Sequence, residues 1–196
     1  MSALPTNDTG PTADEHEALR RHLIDHSVKR GDFKLKSGRK STWFIDSKQT
    51  VCDPAAMLLV ANELLSIVPD SATAIGGLTM GADPVAFITA GVAATRNRPL
   101  KTFSIRKEEK DHGRRGRISG VLDPSDLAVI TEDTVTRGAS LIEAAHVVRE
   151  FGATPILLIA VVDRGGTVAE IAANEGLEFR ALFTAIDLGF DYEGGV

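Results

Sequence analysis

The stretch that decides the fold joins an apolar run to two acids, a polar loop and the start of a helix. Residues 127–130 are apolar. The continuation reads Ile130-Thr131-Glu132-Asp133-Thr134-Val135-Thr136-Arg137-Gly138-Ala139-Ser140. A short apolar run of this kind is typical of a buried strand, and the helical pattern that starts near Gly138 predicts a strand–loop–helix unit.

The loop after the two acids has the chemistry that a sugar phosphate needs. Main-chain N–H groups and the positive end of a helix dipole favour a phosphate. The loop hydroxyls add hydrogen-bond donors, and Gly138 lets the backbone come close to a ligand. Glu132 and Asp133 suit ribose hydroxyls, or a Mg²⁺ ion that bridges to phosphates.

A solvated turn is the simpler interpretation of the same residues, because glycine-containing turns are common. The segment is not a Walker loop, since no Gly-Lys-Ser/Thr follows, and it lacks the Gly-x-Gly-x-x-Gly spacing of a dinucleotide site. An acid pair before a threonine-rich loop is more particular, and it favours the phosphate interpretation.

The bulk properties indicate one soluble domain. The chain has 196 residues, 43% of them hydrophobic, and a formal net charge of −5, which gives no indication of a nucleic-acid or membrane partner. Cys52 is the single cysteine, which fits a reducing cytoplasm. No apolar stretch reaches the roughly 18 residues of a membrane span. Residues 1–11 are expected to be a disordered tail, and residues 12–196 a single domain.

Strand and helix patterns alternate along the chain. Residues 12–15 form a capping box, which predicts a first helix through Val28 with Gly31 as its C-terminal glycine. A hairpin is expected over 33–46, and a second helix from Asp53-Pro54. The later expected elements are strands 72–75 (ended by Gly76-Gly77), 100–105, 127–131, 155–162 and 178–184, and helices 84–95, 139–151 and 168–174.

This alternation predicts an α/β fold, a parallel sheet with helices on both faces. Ligands of such sheets bind beyond the carboxyl ends of the strands. Glu132-Asp133, Gly76-Gly77 and Asp163-Arg164 all fall at such ends. We therefore expect three separate segments to meet in one crevice.

Residues 106–117 form a basic segment in an acidic chain, with six Lys or Arg residues against three acids. A solvated surface loop is the usual interpretation of such a run. The alternative is a mobile lid over a polyanion, in which Arg106, Lys107 and Lys110 neutralise a pyrophosphate and His112 donates a hydrogen bond or a proton. The segment has no aromatic residue, so it offers no platform for nucleic-acid bases.

Three motifs and one residue pair carry a resemblance to a known family. Residues 106–113 resemble the Arg-Lys-x-x-Lys-x-His-Gly catalytic loop of the orotate phosphoribosyltransferases, which are type I phosphoribosyltransferases. Residues 130–140 resemble the motif with which that class binds phosphoribosyl pyrophosphate (PRPP). Residues 33–41 resemble the N-terminal hood of the family, and Asp163-Arg164 matches its Asp-Arg pair. The resemblance covers about residues 15–190.

The resemblance implies a type I phosphoribosyltransferase fold with a hood over about 12–50 and a flexible loop over about 106–120. It implies transfer of the 5-phosphoribosyl group from PRPP to orotate, giving orotidine 5′-monophosphate and pyrophosphate in pyrimidine (UMP) synthesis. It also implies Mg²⁺, held mainly by PRPP with Glu132 or Asp133 as candidate protein ligands. A homodimer that shares the loop between subunits is implied too.

The resemblance also implies roles for individual residues. The implied catalytic residues are Arg106, Lys107, Lys110, His112 and Asp133. The implied PRPP-binding residues are Lys36, Thr79, Met80, Arg106, Lys107, Lys110, His112, Glu132, Asp133, Thr134, Val135, Thr136, Arg137, Gly138, Ala139 and Ser140. The implied orotate-binding residues are Lys36, Phe44, Ile45, Thr136 and Arg164.

Departures at two implied site residues, and two alternative functions, accompany the resemblance. Met80 stands where many relatives carry a lysine that touches pyrophosphate, and Ile45 replaces a common aromatic residue. One alternative is a PRPP enzyme that uses a purine or uracil, against which the segment 106–113 argues. The other is a PRPP-sensing regulator that binds nucleic acid without catalysis, which would need a separate nucleic-acid-binding segment.

Overall fold

The computed structural model describes residues 10–34, 40–108 and 116–193. The strands are β1 Val28–Lys34, β2 Lys40–Ile45, β3 Ala74–Leu78, β4 Lys101–Ile105, β5 Ile118–Gly120, β6 Leu127–Val135, β7 Thr154–Asp163 and β8 Phe179–Thr184. The helices are α1 Ala13–His22, α2 Lys48–Val51, α3 Met57–Ile67, α4 Ala82–Thr95, α5 Ala139–Phe151 and α6 Val168–Asn174. The expected disordered tail lies outside the described residues apart from Gly10 and Pro11.

Six strands form the central sheet, in the order β5-β4-β3-β6-β7-β8. All neighbours in it run parallel except β4 and β5, which are antiparallel. Strands β1 and β2 form a separate antiparallel pair. The predicted α/β fold with a mostly parallel sheet is therefore confirmed.

Helices cover both faces of the sheet, because the strands alternate their apolar side chains between two cores. Ile75, Val129 and Ile159 pack in a core with α1, α3 and α4. Ile130 and Leu158 pack in a second core with α5 and α6. Burial of the strands on both faces explains why their sequences are nearly continuous in apolar residues. No helix in the described ranges is long and apolar enough to cross a bilayer.

Two predictions near the N-terminus are wrong. Helix α1 keeps its capping box at Thr12 but ends at His22, and a wider helical turn occupies 23–27. Val28 instead begins β1 and pairs with Ile45, so tertiary pairing of a β-branched residue overrides the helical spacing. Gly31 lies inside β1 rather than at a helix end.

The second helix also starts later than predicted, at Met57. Asp53 and Pro54 lie in the turn before it, where the Asp53 carboxylate accepts the N–H of Ala55 at 2.8 Å. The local hydrogen bond of the aspartate side chain stabilises a turn rather than the first helical residue. The short helix α2 precedes this turn and is absent from the sequence prediction.

Strands β3 and β6 are both longer than predicted. Gly76 and Gly77 do not end β3 but lie inside it, fully covered. A Cβ atom on Gly76 would lie 2.8 Å from the Phe103 ring, and one on Gly77 would lie 2.7 Å from the Cβ of Ala82. The two glycines therefore let β4 and α4 approach β3 closely. Strand β6 continues through the acid pair to Val135. The three-residue edge strand β5 is absent from the sequence prediction.

Candidate active site

The acid pair lies within the hydrogen-bonded end of β6. Glu132 and Asp133 are only 7% and 6% exposed, and Glu132 stands opposite Ala160 of β7. One carboxylate oxygen of Asp133, Oδ2, accepts hydrogen bonds from Ser47 Oγ at 2.9 Å and Lys48 Nζ at 2.5 Å. The acids are thus enclosed and partnered, not solvated.

Burial and the neighbouring acid change the titration of Glu132. Desolvation, followed by the charge of Asp133 and a hydrogen bond with it, raises the pKa of Glu132 to about 8, although a hydrogen bond from Ser140 opposes the rise. Glu132 is therefore mostly protonated at neutral pH. Burial alone would lower the pKa of Lys48, but its ion pair with Asp133 outweighs that effect and raises it.

The turn 79–81 between β3 and α4 lies against the same acids. A Cβ atom on Gly81 would lie 2.8 Å from Oδ1 of Asp133 and 2.8 Å from the carboxyl carbon of Glu132. The Thr79–Met80 peptide is cis. The Met80 side chain is 68% exposed, so it is the main chain of this turn that borders the acids.

Residues 136–140 form the turn into α5. Gly138 has φ of 69°, and a Cβ there would lie 2.9 Å from Val168, so a glycine is required. In the described part of the chain no side chain caps the first turn of α5, which leaves its N–H groups for a ligand. Arg137 and Ala139 are exposed, whereas Thr136 and Ser140 are half-buried.

The end of β7 places a buried arginine beside this turn. Val135 pairs with Asp163, and the Val135 carbonyl accepts the N–H of Arg164 at 2.8 Å. The guanidinium Nη2 donates to the Trp43 carbonyl at 2.8 Å and to Glu193 Oε2 at 2.5 Å. Burial lowers the pKa of Arg164, and Glu193 opposes that shift.

The guanidinium also lies over aromatic rings of β2. Its carbon is 4.8 Å from the Trp43 ring centroid and 6.0 Å from that of Phe44. Nε of Arg164 is buried without a hydrogen-bond partner among the described residues. A buried, unpaired N–H beside a stacked ring is suited to a planar ligand with an anionic oxygen.

Phe44 and Ile45 do not present their side chains to the same space. Strand β2 alternates, so that Phe44 is 41% exposed while Ile45 is 5% exposed in the core. The structure brings Phe44 to Arg164, and the Thr136 carbonyl lies close to Gly165, the residue after Arg164. The side chain of Ile45 lies on the opposite side of the strand.

The base of the basic loop lies next to the turn 79–81. Thr79 N–H donates to the carbonyl of Ile105, the residue before the loop, at 2.8 Å. The Arg106 N–H donates to the Arg117 carbonyl at 2.9 Å, and Lys107 is exposed. The sequence-predicted residues that lie outside the described ranges are Lys36, Lys110 and His112.

Sequence reasoning missed four residues that hold the predicted ones in place. They are Ser41, Ser47, Lys48 and Glu193, which hydrogen-bond to Arg164 or Asp133. The only available signal was the polar run Asp46-Ser47-Lys48 directly after an apolar strand pattern.

Comparison with known proteins gives a consistent result. The chain is 37% identical over 196 residues to an orotate phosphoribosyltransferase of Nostoc sp., covering 97% of this chain and 95% of the relative. It is 38% identical to an orotate phosphoribosyltransferase of Aquifex aeolicus, covering 89% and 97%. The Mycobacterium tuberculosis H37Rv orotate phosphoribosyltransferase, solved in complex with PRPP, matches with a TM-score of 0.73 and 29% identity over 90% of this chain and 99% of that chain. No protein-family model matches.

These relatives match the chain across nearly its whole length, and each is itself matched over nearly its whole length. The chain belongs to the orotate phosphoribosyltransferase family.

Proposed function

We propose that one side of this crevice binds PRPP and the other binds orotate in the family's reaction, in which the 5-phosphoribosyl group of PRPP is transferred to orotate. The products are orotidine 5′-monophosphate, on the route to UMP, and pyrophosphate. The observation that carries the assignment is that the acid pair, the open first turn of α5 and Arg164 meet at the adjoining ends of β6 and β7.

On the PRPP side, the turn into α5 holds the 5-phosphate through N–H groups of residues 136–140 and its hydroxyls. Asp133 accepts a hydrogen bond from a ribose hydroxyl, and protonated Glu132 is able to donate one. Thr79 and Met80 offer main-chain groups, not charge, to the pyrophosphate. Val135 takes part through its main chain, since its side chain is 3% exposed.

On the orotate side, Arg164 supplies its unpaired Nε to an anionic oxygen of the base, and the Phe44 ring lies against the pyrimidine plane. Thr136 adds a hydrogen bond from the adjoining strand end. Ile45 supports this side from the core, and the resemblance adds Lys36.

The basic loop completes the site by stabilising the negative charge of the leaving pyrophosphate. As pyrophosphate leaves C1 of the ribose, negative charge grows on the leaving group, and Arg106, Lys107 and Lys110 stabilise it. His112 hydrogen-bonds the same group. Closure of the loop excludes water, which would otherwise hydrolyse the activated sugar.

A Mg²⁺ ion fits this donor set in one particular way. The described residues contain no group of three or more acidic, His or Cys side chains that could hold a metal. The raised pKa of Glu132 disfavours its charged form, and Asp133 pairs with a lysine. The ion would therefore be held mainly by PRPP, with Asp133 as the nearby protein carboxylate, and it would supply positive charge to the leaving pyrophosphate.

We also propose a cytoplasmic homodimer whose subunits share the basic loop. Leu58 on α3 and Phe87 on α4 are 53% and 51% exposed, and these two helices pack against each other. A second copy covering them would bury this apolar surface. Light scattering of the purified chain tests this, and a monomer at micromolar concentration would contradict it.

The reaction itself is tested by a spectrophotometric assay of orotate consumption with PRPP and Mg²⁺. Parallel assays with uracil, hypoxanthine and xanthine test the alternative base classes. We expect turnover with orotate alone. Turnover with a purine or uracil, and none with orotate, would contradict the proposal.

A further inference from the structure

Lys48 lies in the crevice and has no role in the assignments above. It is the first residue of α2, directly after the hood strand β2. Its Nζ lies 2.5 Å from Oδ2 of Asp133. In the described ranges it is the only cation that forms an ion pair with either acid of the pair.

The position of Lys48 is fixed by its neighbour. Ser47 Oγ donates to the same Asp133 oxygen at 2.9 Å, and Thr134 Oγ1 donates to Ser47 Oγ at 2.8 Å. The segment 47–48 is thus bound to the end of β6. The Asp133 side chain is 8% exposed and that of Lys48 is 41% exposed, so the ammonium reaches the buried acid from the solvent side.

The turn 79–81, which the proposed function assigns to the pyrophosphate, borders the same carboxylate. Oδ1 of the same carboxylate lies against the turn at Gly81, so the ammonium and the turn 79–81 border opposite oxygens of one group. The turn presents Met80, which has no charge, to solvent. Lys48 therefore brings positive charge to a place where the turn's own side chain supplies none.

We propose that Lys48 is a PRPP-binding residue that contacts the pyrophosphate group. In the free enzyme its ammonium neutralises Asp133. When a ribose hydroxyl donates a hydrogen bond to Asp133, the flexible lysine stem lets the ammonium move to a pyrophosphate oxygen. This inference rests on the proposed placement of PRPP at the acid pair.

The test compares K48M, which removes the charge, with K48R, which keeps it. We expect K48M to raise the KM for PRPP and the Kd for PRPP measured by calorimetry roughly 10- to 100-fold. The KM and Kd of K48R for PRPP should stay within about 3-fold of the wild-type values. The KM for orotate should change less than about 2-fold in both variants. K29M is the matched control, since Lys29 is an exposed lysine of the neighbouring strand that donates to the His26 carbonyl.

A second pair of variants separates contact with substrate from support of Asp133. In D133N the acid is neutral, so K48M leaves no buried charge unpaired. If Lys48 contacts pyrophosphate, D133N/K48M binds PRPP more weakly than D133N. If the two bind equally, Lys48 acts only on Asp133 and the proposed contact is wrong.

The same variants distinguish this inference from the site assignment. Weak PRPP binding by D133N with normal binding by K48M would overturn the role of Lys48 alone. Normal binding by both would overturn the placement of PRPP at the acid pair. Equal losses of orotate and PRPP affinity in K48M would indicate a structural tie between hood and sheet, which also contradicts the proposal.

Discussion

Replacing Glu132 by glutamine should make the protein less sensitive to alkaline pH. The folded-state pKa is about 8 against an ordinary value of 4.5. At about 1.4 kcal/mol per pKa unit, this shift corresponds to ~5 kcal/mol as an upper bound. Because the pKa is raised, this stability is fully present below pH 4.5 and is lost as the pH rises through 8. Glutamine keeps the shape of the protonated acid and does not titrate.

We therefore expect E132Q and the wild type to differ little in unfolding free energy at pH 5. At pH 9 the variant should be more stable by at least ~2 kcal/mol, because only the wild type must bury a second negative charge beside Asp133. Urea unfolding followed by circular dichroism between pH 5 and 9 measures this. E150Q is the control, since Glu150 is exposed on α5. Parallel pH curves for E132Q and the wild type would refute the reasoning.

Three further predictions concern packing, the arginine and the loop. G77A should lower the unfolding free energy by ~3 kcal/mol or more, because its Cβ would clash with the Thr131 carbonyl oxygen and lie 2.7 Å from the Cβ of Ala82. G91A has open space around its Cβ and should raise the unfolding free energy by up to ~1 kcal/mol; thermal melts compare the two variants. R164K should raise the KM for orotate about 10-fold or more and leave the KM for PRPP unchanged. The reason is that lysine lacks the planar guanidinium, which can donate to the Trp43 carbonyl and to the ligand at once. Steady-state kinetics in which both KM values rise equally would count against this prediction. K110A should lower kcat by on the order of 10²-fold without changing the melting temperature, and unchanged turnover would remove the loop from the mechanism.

Strand and helix patterns predicted most of the sheet, because its strands are buried on both faces and its helices carry regular apolar spacing. Helix α5, for example, begins and ends where Gly138 and Gly152 predicted. The errors at Val28 and at Gly76-Gly77 come from tertiary contacts, whereas the late start of α3 comes from the local hydrogen bond of Asp53. The pair Gly76-Gly77 looks like the end of a strand when the sequence is considered alone. In the structure both glycines lie inside β3, where their lack of side chains lets neighbouring elements pack closely.

The chemical residues of the site were partly predictable for a similar reason. The acid pair and Arg164 stand at strand ends, which the pattern identifies. The residues that hydrogen-bond to them could not be identified in this way, since Lys48 and Asp133 are 85 positions apart and no spacing rule connects them. Burial of the Ile45 side chain depends on the pairing of β2 with β1, so alternation along a single strand could not assign its face.

The continuation of β6 through the acid pair has a consequence for how ribose is recognised. Glu132 and Thr134 on either side of Asp133 are held in register with Ala160 and Val162 of β7, so the backbone that carries the carboxylate is immobilised when the chain folds. A sugar that docks there meets carboxyl groups whose backbone is already ordered, so little additional ordering opposes its association. The neighbouring main-chain amides at the start of α5 lie on a turn instead of a strand. They are therefore the part of the site that can adjust to anions of different shape.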